Sequence, residues 1–230
     1  MEKLFHGLRR IQEPTFEENS GPEILPEEVT AAVRQMKDGK APGLDEIPAE
    51  LLKLLDAEQI KIITKIFSEI YKAGKIPVEW LKSEFVPLPK KPGAKVCEDY
   101  RTISLMSHLL KLFLKVIHKR IYRKCEEQIA PNQFGFVNAV GTREALFGVQ
   151  ILFQKCRDVS CDVFACLIDY KKAFDRVRHE QMMEVLKRTG NDGKDLKIIA
   201  NLYWNQSAVL RIDGEYTDQV KILRGVRQAA

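Results

Sequence analysis

The chain has 230 residues, of which 45% are hydrophobic and 30% are charged. This composition indicates a globular protein with a real core, in one or two domains, and it excludes an intrinsically disordered chain. The net charge of +5 is only a mild bias towards polyanions. No apolar stretch reaches the roughly 18 residues that a membrane span needs, so we expect no membrane association.

Helices are predicted through most of the first two thirds of the chain. Pro26 suits the first turn of a helix that Gly39 ends, and Gly74 is positioned to end a later helix. Ser107 and Thr142 are suitable N-caps for two more. In chain order the predicted helices cover about 26–38, 49–55, 58–73, 108–128 and 142–155.

Extended segments are fewer. Residues 80–89 are predicted to be extended, although Pro87 and Pro89 restrict them to an edge strand or to partial strand character. Val163–Ile168 is apolar without polar alternation, which predicts a strand buried on both faces. Asp213–Gly214 predicts a tight type I′ turn in a hairpin. The remaining predicted elements are helices near 179–188 and 192–205 and the hairpin strands 209–212 and 215–223.

Five cysteines are present, and no Cys-x-x-Cys spacing occurs among them. The odd number argues against a disulfide framework and favours a reducing, intracellular compartment. The even spacing of Cys156, Cys161 and Cys166 is compatible with zinc. However, His179 is the only histidine near them and Cys166 belongs to the apolar run, so ordinary thiols are the favoured interpretation.

Two aspartates follow the apolar run. A carboxylate leaving a buried strand lies at a sheet edge, where metal sites are often built, so Asp169 is a candidate metal ligand. An aspartate at this position also commonly caps a helix or a turn. For Asp175 we favour a structural role, as a partner of Arg176 or Arg178 or as the cap of the next helix.

The segment Leu167–Val177 resembles motif A of reverse transcriptases from non-LTR, LINE-like retrotransposons. It reads Leu-Ile-Asp-Tyr-Lys-Lys-Ala-Phe-Asp-Arg-Val. Other segments resemble further motifs of that family in the family's order. They are Gly39–Pro48 upstream, 85–93 with 100–105 in the fingers, 132–136 with 141–144 on the template side, and Arg224–Gln228 at the opening of motif B. Five motifs in the right order make the resemblance specific, from about Glu27 to the last residue.

The resemblance implies an α+β fold made of the fingers and an incomplete palm of a right-hand polymerase. The implied division is a flexible lead-in at 1–25, upstream helices and fingers at 26–155, and a partial palm at 156–230, without a thumb. Tyr-x-Asp-Asp, which carries further metal ligands in the family, is missing, and Ala229 stands where the family has glycine. Val137–Val140 replaces residues that are often basic. We therefore expect a chain that stops before the Tyr-x-Asp-Asp motif and is inactive alone.

The implied activity is RNA-directed DNA synthesis, a two-metal transfer of dNTPs onto a DNA primer along an RNA template, with Mg²⁺ or Mn²⁺. Asp169 is the implied catalytic metal ligand, with the backbone carbonyl of Tyr170 beside it. Phe174 matches a ring that excludes the 2′-hydroxyl, although a core phenylalanine is the alternative. The implied nucleotide-binding residues are Lys90, Lys91, Arg101, Lys172, Ala173, Phe174 and Gln228. Which of the two lysines aligns is left open. The candidate nucleic-acid contacts are Lys111, Lys115, Lys119 and Arg143.

Other classes of protein remain to be weighed. A non-catalytic, RNA-binding remnant of a retroelement fits the same motifs, and a solvated basic helix face explains the lysines without RNA. A haloacid-dehalogenase-like phosphatase needs Asp-x-Asp, which Asp169-Tyr170-Lys171 does not provide. The P-loop signature Gly-x-x-x-x-Gly-Lys-Ser/Thr is absent, which excludes that class of NTPase. A retrotransposon protein is expected in the nucleus and cytoplasm.

Overall fold

A computed structural model describes residues 12–16, 20–96, 99–212 and 214–226. The chain forms two compact units. The larger consists of Met1–Cys125 with Lys172–Ala230, and the smaller is Glu126–Lys171. None of the described helices is long and apolar enough to cross a membrane.

The helices of the larger unit follow the predicted pattern closely. Asp56 accepts a 2.8 Å hydrogen bond from the Gln59 amide at the start of α3 (Ala57–Ala73), and Gly74 ends that helix with a φ of 67°. The Ser107 hydroxyl accepts from the Leu110 amide, so the predicted N-cap of α5 (His108–Glu126) is confirmed. The helices are α1 (Pro26–Arg34), α2 (Ala49–Lys53), α3 (Ala57–Ala73), α4 (Val78–Leu81), α5 (His108–Glu126), α7 (His179–Arg188) and α8 (Gly193–Asn205), with α6 in the smaller unit.

Helix α1 ends earlier than the sequence predicts. It stops at Arg34 rather than at Gly39. The Gly39 amide donates a 2.6 Å hydrogen bond to Glu50 Oε1, at the start of α2, instead of continuing the helical ladder.

The main core lies between α1, α3, α5 and α8. The rings of Phe67 and Phe113 are fully buried, with centroids 5.1 Å apart. Val116 and Ile117 on α5 and Ile198 on α8 are also buried there. The buried side chains of α5 recur every three to four residues, so one face of this helix packs into the core.

One mixed sheet has the order β2-β1-β3-β4, and β5 also pairs with β3. Strand β1 is antiparallel to β2, whereas it is parallel to β3 only from Lys82 to Phe85. Pro87 and Pro89 lie beyond the β3 pairing, where β1 has β2 alone as its described neighbour, as their missing N–H groups require. The strands are β1 (Lys82–Pro89), β2 (Tyr100–Leu105), β3 (Ser207–Ile212), β4 (Glu215–Tyr216) and β5 (Val220–Lys221).

The predicted hairpin is present. Ile212 pairs with Glu215 across a two-residue turn. Gly214 in that turn has a φ of 90°, which glycine adopts without strain. Asp213 lies outside the described residues.

The smaller unit contains α6 (Thr142–Asp158) and the apolar run. Gly141 is the N-cap of α6 and Thr142 its first helical residue, so the predicted capping residue was wrong by one position. The predicted buried strand Val163–Ile168 was also wrong. The run has no regular structure, and Phe164 and Leu167 are 94% and 97% exposed. A strand buried on both faces needs neighbouring strands and layers that cover the sheet. No described strand pairs with residues 163–168.

Candidate nucleotide-binding site

The segments that resemble motif A and motif B meet in the larger unit. A short 3₁₀ turn covers Phe174–Arg176. The Val226 amide donates a 2.9 Å hydrogen bond to the Phe174 carbonyl, and the Gly225 amide donates a 2.8 Å bond to the Val177 carbonyl. Residues about fifty positions apart in sequence therefore share one backbone hydrogen-bonded junction, hereafter the A–B junction (Phe174–Val177 with Arg224–Val226).

Close backbone approach at this junction requires glycine. Gly225 has a φ of 88°, and a Cβ added there would lie 2.9 Å from the Asp175 carbonyl oxygen. Such a contact is closer than side chains tolerate, so the motif B segment approaches motif A only because residue 225 has no side chain.

A buried histidine supports the same junction. His179 Nε2 lies 2.9 Å from the Gly225 carbonyl oxygen, and the imidazole is fully buried. Sequence reasoning considered His179 only as an unlikely zinc ligand and missed this contact. The residue is the first of α7, and nothing in local spacing indicates a partner 46 residues away.

Phe174 itself is partly exposed, with 39% of its surface accessible. It is therefore not a fully buried core phenylalanine within this structure. Its backbone is fixed by Val226, whereas its ring retains an accessible face. Lys172, two residues earlier, has a φ of 54°, which is uncommon for a residue with a side chain, and Ala173 is exposed.

The β1–β2 hairpin carries the predicted phosphate-binding residues. Leu88 pairs with Arg101 near the end of the hairpin, and Lys90 directly follows β1. The Lys90 amide donates to the Asp99 carbonyl at 2.8 Å. The Lys91 ammonium forms a 2.9 Å ion pair with the Asp99 carboxylate. Lys90 and Lys91 both stay predicted partners of Arg101 for an anionic ligand.

Some basic side chains of α5 form hydrogen bonds or ion pairs within the protein. The Lys115 ammonium donates a 2.9 Å hydrogen bond to the Gln35 carbonyl. Burial lowers the pKa of Lys111, with a contribution from Lys40, and burial lowers that of Lys115, with a contribution from Lys37. Lys119 is exposed. Further along the helix, Arg120 binds both carboxylate oxygens of Glu28, and Lys124 pairs with Asp192 at 2.7 Å.

The predicted metal ligand lies in the smaller unit. Asp169 is exposed, and Tyr170 is 78% exposed. The expected position of Asp169 at the end of a buried strand was therefore wrong, because the preceding run is irregular. Arg143, another candidate nucleic-acid contact, is exposed in the first turn of α6. Gln228 lies outside the described residues.

The donor set around Asp169 is of the type that Mg²⁺ prefers. Its carboxylate and the Tyr170 carbonyl both offer oxygen atoms, the type of donor that Mg²⁺ binds. The described residues contain no group of three or more His, Cys, Asp and Glu side chains that could hold a metal ion. Magnesium commonly takes one or two carboxylates and completes its shell with water and substrate phosphates. Asp169 and Tyr170 fit a site of this kind, to which they would contribute one carboxylate and one backbone carbonyl.

Comparison with known proteins identifies the class. The family "Reverse transcriptase (RNA-dependent DNA polymerase)" matches residues 88–228, which include β2, Asp169 and the A–B junction. The chain belongs to this family of nucleotidyltransferases, and the resemblance seen in the motifs is confirmed.

Its relatives are proteins of transposable elements. The chain is 35% identical over 170 residues to the "Probable RNA-directed DNA polymerase from transposon X-element" of Drosophila melanogaster, covering 71% of the chain and 18% of the relative. It is 31% identical over 169 residues to the corresponding protein from transposon BS of the same species, covering 72% and 18%. The "Transposon TX1 uncharacterized 149 kDa protein" of Xenopus laevis is 26% identical over 99% of the chain and 17% of its own length. The chain thus spans less than a fifth of these relatives.

Proposed function

We propose that this chain is part of an RNA-directed DNA polymerase of a non-LTR, LINE-like retrotransposon. Its substrates are dNTPs, a DNA primer and an RNA template, and the whole protein acts in the nucleus and cytoplasm. The observation that carries the proposal is the A–B junction, because it joins two motifs of the matched family through Val226 and Phe174. Residues 26–155 serve as upstream helices and fingers, and residues 156–230 as part of the palm.

Each candidate residue has a distinct chemical role in this reaction. Asp169 and the Tyr170 carbonyl would hold Mg²⁺ or Mn²⁺, which supplies the positive charge for a two-metal nucleotidyl transfer. Arg101, together with Lys90 or Lys91, binds the triphosphate, since a guanidinium binds phosphate oxygens in a fork. The ring of Phe174 lies under the incoming sugar and excludes a 2′-hydroxyl, and Gln228 contacts the nucleotide. The amides of Lys172 and Ala173 face the triphosphate.

A second function is a non-catalytic, RNA-binding remnant of such an element. Lys119 is exposed on α5 and suits contact with RNA phosphates, and such contact needs no metal carboxylate. The two functions differ in whether Asp169 matters, since only catalysis requires its carboxylate.

Primer extension tests the first proposal. The chain is joined after Val226 to the downstream polymerase region of the X-element relative, giving a protein that we call the joined protein. It should incorporate dNTPs on an RNA template with Mg²⁺ or Mn²⁺, and Asp169→Asn should abolish incorporation without lowering Tm, because the side chain is exposed. A well-folded joined protein that binds RNA but incorporates nothing would favour the remnant.

A further inference from the structure

His179 is the feature from which we argue. It is the first residue of α7, shortly after the motif A segment, and it is fully buried. Its Nε2 atom lies 2.9 Å from the Gly225 carbonyl oxygen. A carbonyl oxygen only accepts hydrogen bonds, so Nε2 carries the hydrogen and donates it. A side chain that lies two residues after the motif A segment therefore binds the backbone of the motif B segment.

The ring is held in this orientation by α8. Its centroid lies 4.9 Å from that of Tyr203 and 5.9 Å from that of Trp204. Aromatic contacts at these distances are favourable and restrict rotation of a buried ring. The donor is thus aimed at Gly225 by packing that does not involve the junction itself.

The bond secures a turn that also fixes Phe174. Gly225 is buried, and its own amide and the next one donate to Val177 and Phe174. Two backbone hydrogen bonds consequently join motif A to residues 225–226, and a third bond, from His179, satisfies the buried carbonyl of Gly225. A buried carbonyl without a partner would be costly.

We propose that His179 is a positioning residue for sugar selection. By holding Gly225, it keeps the Val226 amide on the Phe174 carbonyl and so sets the height of the Phe174 ring beneath the nucleotide sugar. This inference rests on the proposed function, because Phe174 selects a sugar only in a polymerase. The contact itself is independent of activity and is tested separately.

The first test measures amide hydrogen exchange in the 230-residue chain. His179→Leu removes the donor and leaves the Gly225 carbonyl unsatisfied, so the Gly225 and Val226 amides should exchange roughly tenfold faster or more. His179→Gln keeps a side-chain N–H donor and should restore most of the protection. The Gly74 amide, bonded to the Ile70 carbonyl at 2.9 Å, should be unchanged in both variants.

His108 provides a matched control. It is 1% exposed, and its Nδ1 lies 2.7 Å from the Ile47 carbonyl, so it is another buried histidine bound to a backbone oxygen. His108→Leu should lower Tm as His179→Leu does. It should not accelerate exchange at Gly225 or Val226, since it contacts a different loop.

The second test uses the joined protein and the ratio of kcat/KM for an rNTP to that for the matching dNTP. His179→Leu should raise this ratio severalfold, by less than Phe174→Ala does, and His179→Gln should return it towards the starting value. His108→Leu should leave the ratio unchanged while lowering Tm. Only a positioning role predicts a change in the ratio that the conservative variant reverses.

Three other outcomes would overturn the inference, and the measurements distinguish them from one another. Unchanged exchange at Val226 in His179→Leu would show that the bond does not hold the junction. Faster exchange with an unchanged ratio, while Phe174→Ala still changes it, would leave the proposed polymerase intact and reject positioning by His179. If thermal melting shows that the unaltered joined protein is folded but it incorporates no nucleotide, the proposed function fails. The sugar-selection role then fails with it.

Discussion

The ammonium group of Lys115 donates a 2.9 Å hydrogen bond to the carbonyl oxygen of Gln35, the residue that follows the last turn of α1. A cation is favoured at a helix C-terminus, where unsatisfied carbonyls carry partial negative charge. One of the lysines predicted to contact RNA therefore has a structural role. The basic face of α5 divides into residues bound within the fold and residues such as Lys119 that are exposed.

We expect weak RNA binding without sequence preference, with an affinity that falls steeply as salt rises because phosphate contacts release counterions. Neutralising Lys111, Lys115 and Lys119 together should flatten that salt dependence. Lys119→Gln alone should reduce the slope by somewhat less than one unit, about the share of one phosphate, without changing Tm. Lys115→Gln should also lower stability by about 1 kcal/mol, the scale of one hydrogen bond. Fluorescence anisotropy at several salt concentrations and thermal melting measure both effects.

Lys65→Gln is the matched control for this experiment. Lys65 is exposed on α3, outside the predicted basic face, and its neutralisation makes the same change in net charge. It should leave the slope nearly unchanged. An affinity that does not depend on salt, or no binding at low salt, would show that the lysines only solvate the helix.

The 230 residues alone should not polymerise. They supply Asp169 where a two-metal reaction needs at least two carboxylates, and they lack the Tyr-x-Asp-Asp sequence. Primer extension on an RNA template with Mg²⁺ or Mn²⁺ checks this, with the joined protein as the positive control. Processive dNTP incorporation by the chain alone, lost in Asp169→Ala, would contradict the expectation.

A buried carboxylate on α8 should make stability depend on pH. Asp195 Oδ1 accepts a 2.9 Å hydrogen bond from the Tyr71 hydroxyl, whereas Oδ2 is buried without a hydrogen-bond partner among the described residues. Burial raises the pKa of Asp195 above its ordinary value, although Tyr71 and Arg120 act in the opposite direction. The folded protein thus holds a proton that the unfolded chain releases at lower pH.

The raised pKa of Asp195 in the folded protein determines the sign of the pH dependence of stability. The contribution of Asp195 is most favourable below the ordinary aspartate pKa of about 3.9, and it is lost as pH rises from there through the raised folded pKa. Asp195→Asn keeps an oxygen acceptor for Tyr71 and does not titrate. The free energy of unfolding of Asp195→Asn minus that of the unaltered chain should therefore increase with pH across this window.

Urea denaturation at pH values from 4 to 7 measures that difference. Taking the difference matters because other carboxylates titrate as well. Burial acts to raise the pKa of Glu28, but its hydrogen bonds with Arg120 and the Leu25 amide hold the pKa below its ordinary value. Glu28 therefore adds stability as pH rises in both proteins, and the subtraction removes it. A difference that is flat or decreases with pH would reject the role assigned to Asp195.

Local signals predicted most of the fold. The start of α5 at Ser107, the end of α3 at Gly74 and the β3–β4 turn at Gly214 each depend on a few neighbouring residues. Capping and turn geometry are set by such short-range chemistry. The motif order in turn predicted the family, since each motif is read from consecutive residues.

Features that depend on distant partners were not predictable in the same way. The run Val163–Ile168 has the composition of a buried strand, but a strand forms only when other strands pair with it, and none of those described does. The junction through Gly225 and the donor His179 joins residues 46 positions apart. No periodicity within one element carries that information, so the roles of these residues emerge only from the folded backbone.

The last prediction concerns Phe174 in the joined protein. If its ring lies under the incoming sugar, Phe174→Ala opens room for a 2′-hydroxyl and should raise the ratio of kcat/KM for rNTP to that for dNTP. A change of roughly a hundredfold is the upper scale of such pocket-shape effects. Because the side chain is 39% exposed, the loss of stability should be well below the roughly 3–5 kcal/mol expected for a buried phenylalanine.

Phe113→Ala separates sugar selection from packing. Phe113 is fully buried against Phe67, so its truncation should lower Tm strongly and lower the two activities together, leaving their ratio unchanged. Phe174→Ala should do the reverse, changing the ratio with a small effect on Tm. Measuring both quantities in both variants therefore distinguishes a ring that touches the sugar from one that only packs. An unchanged ratio with a large fall in Tm for Phe174→Ala would assign Phe174 to the core.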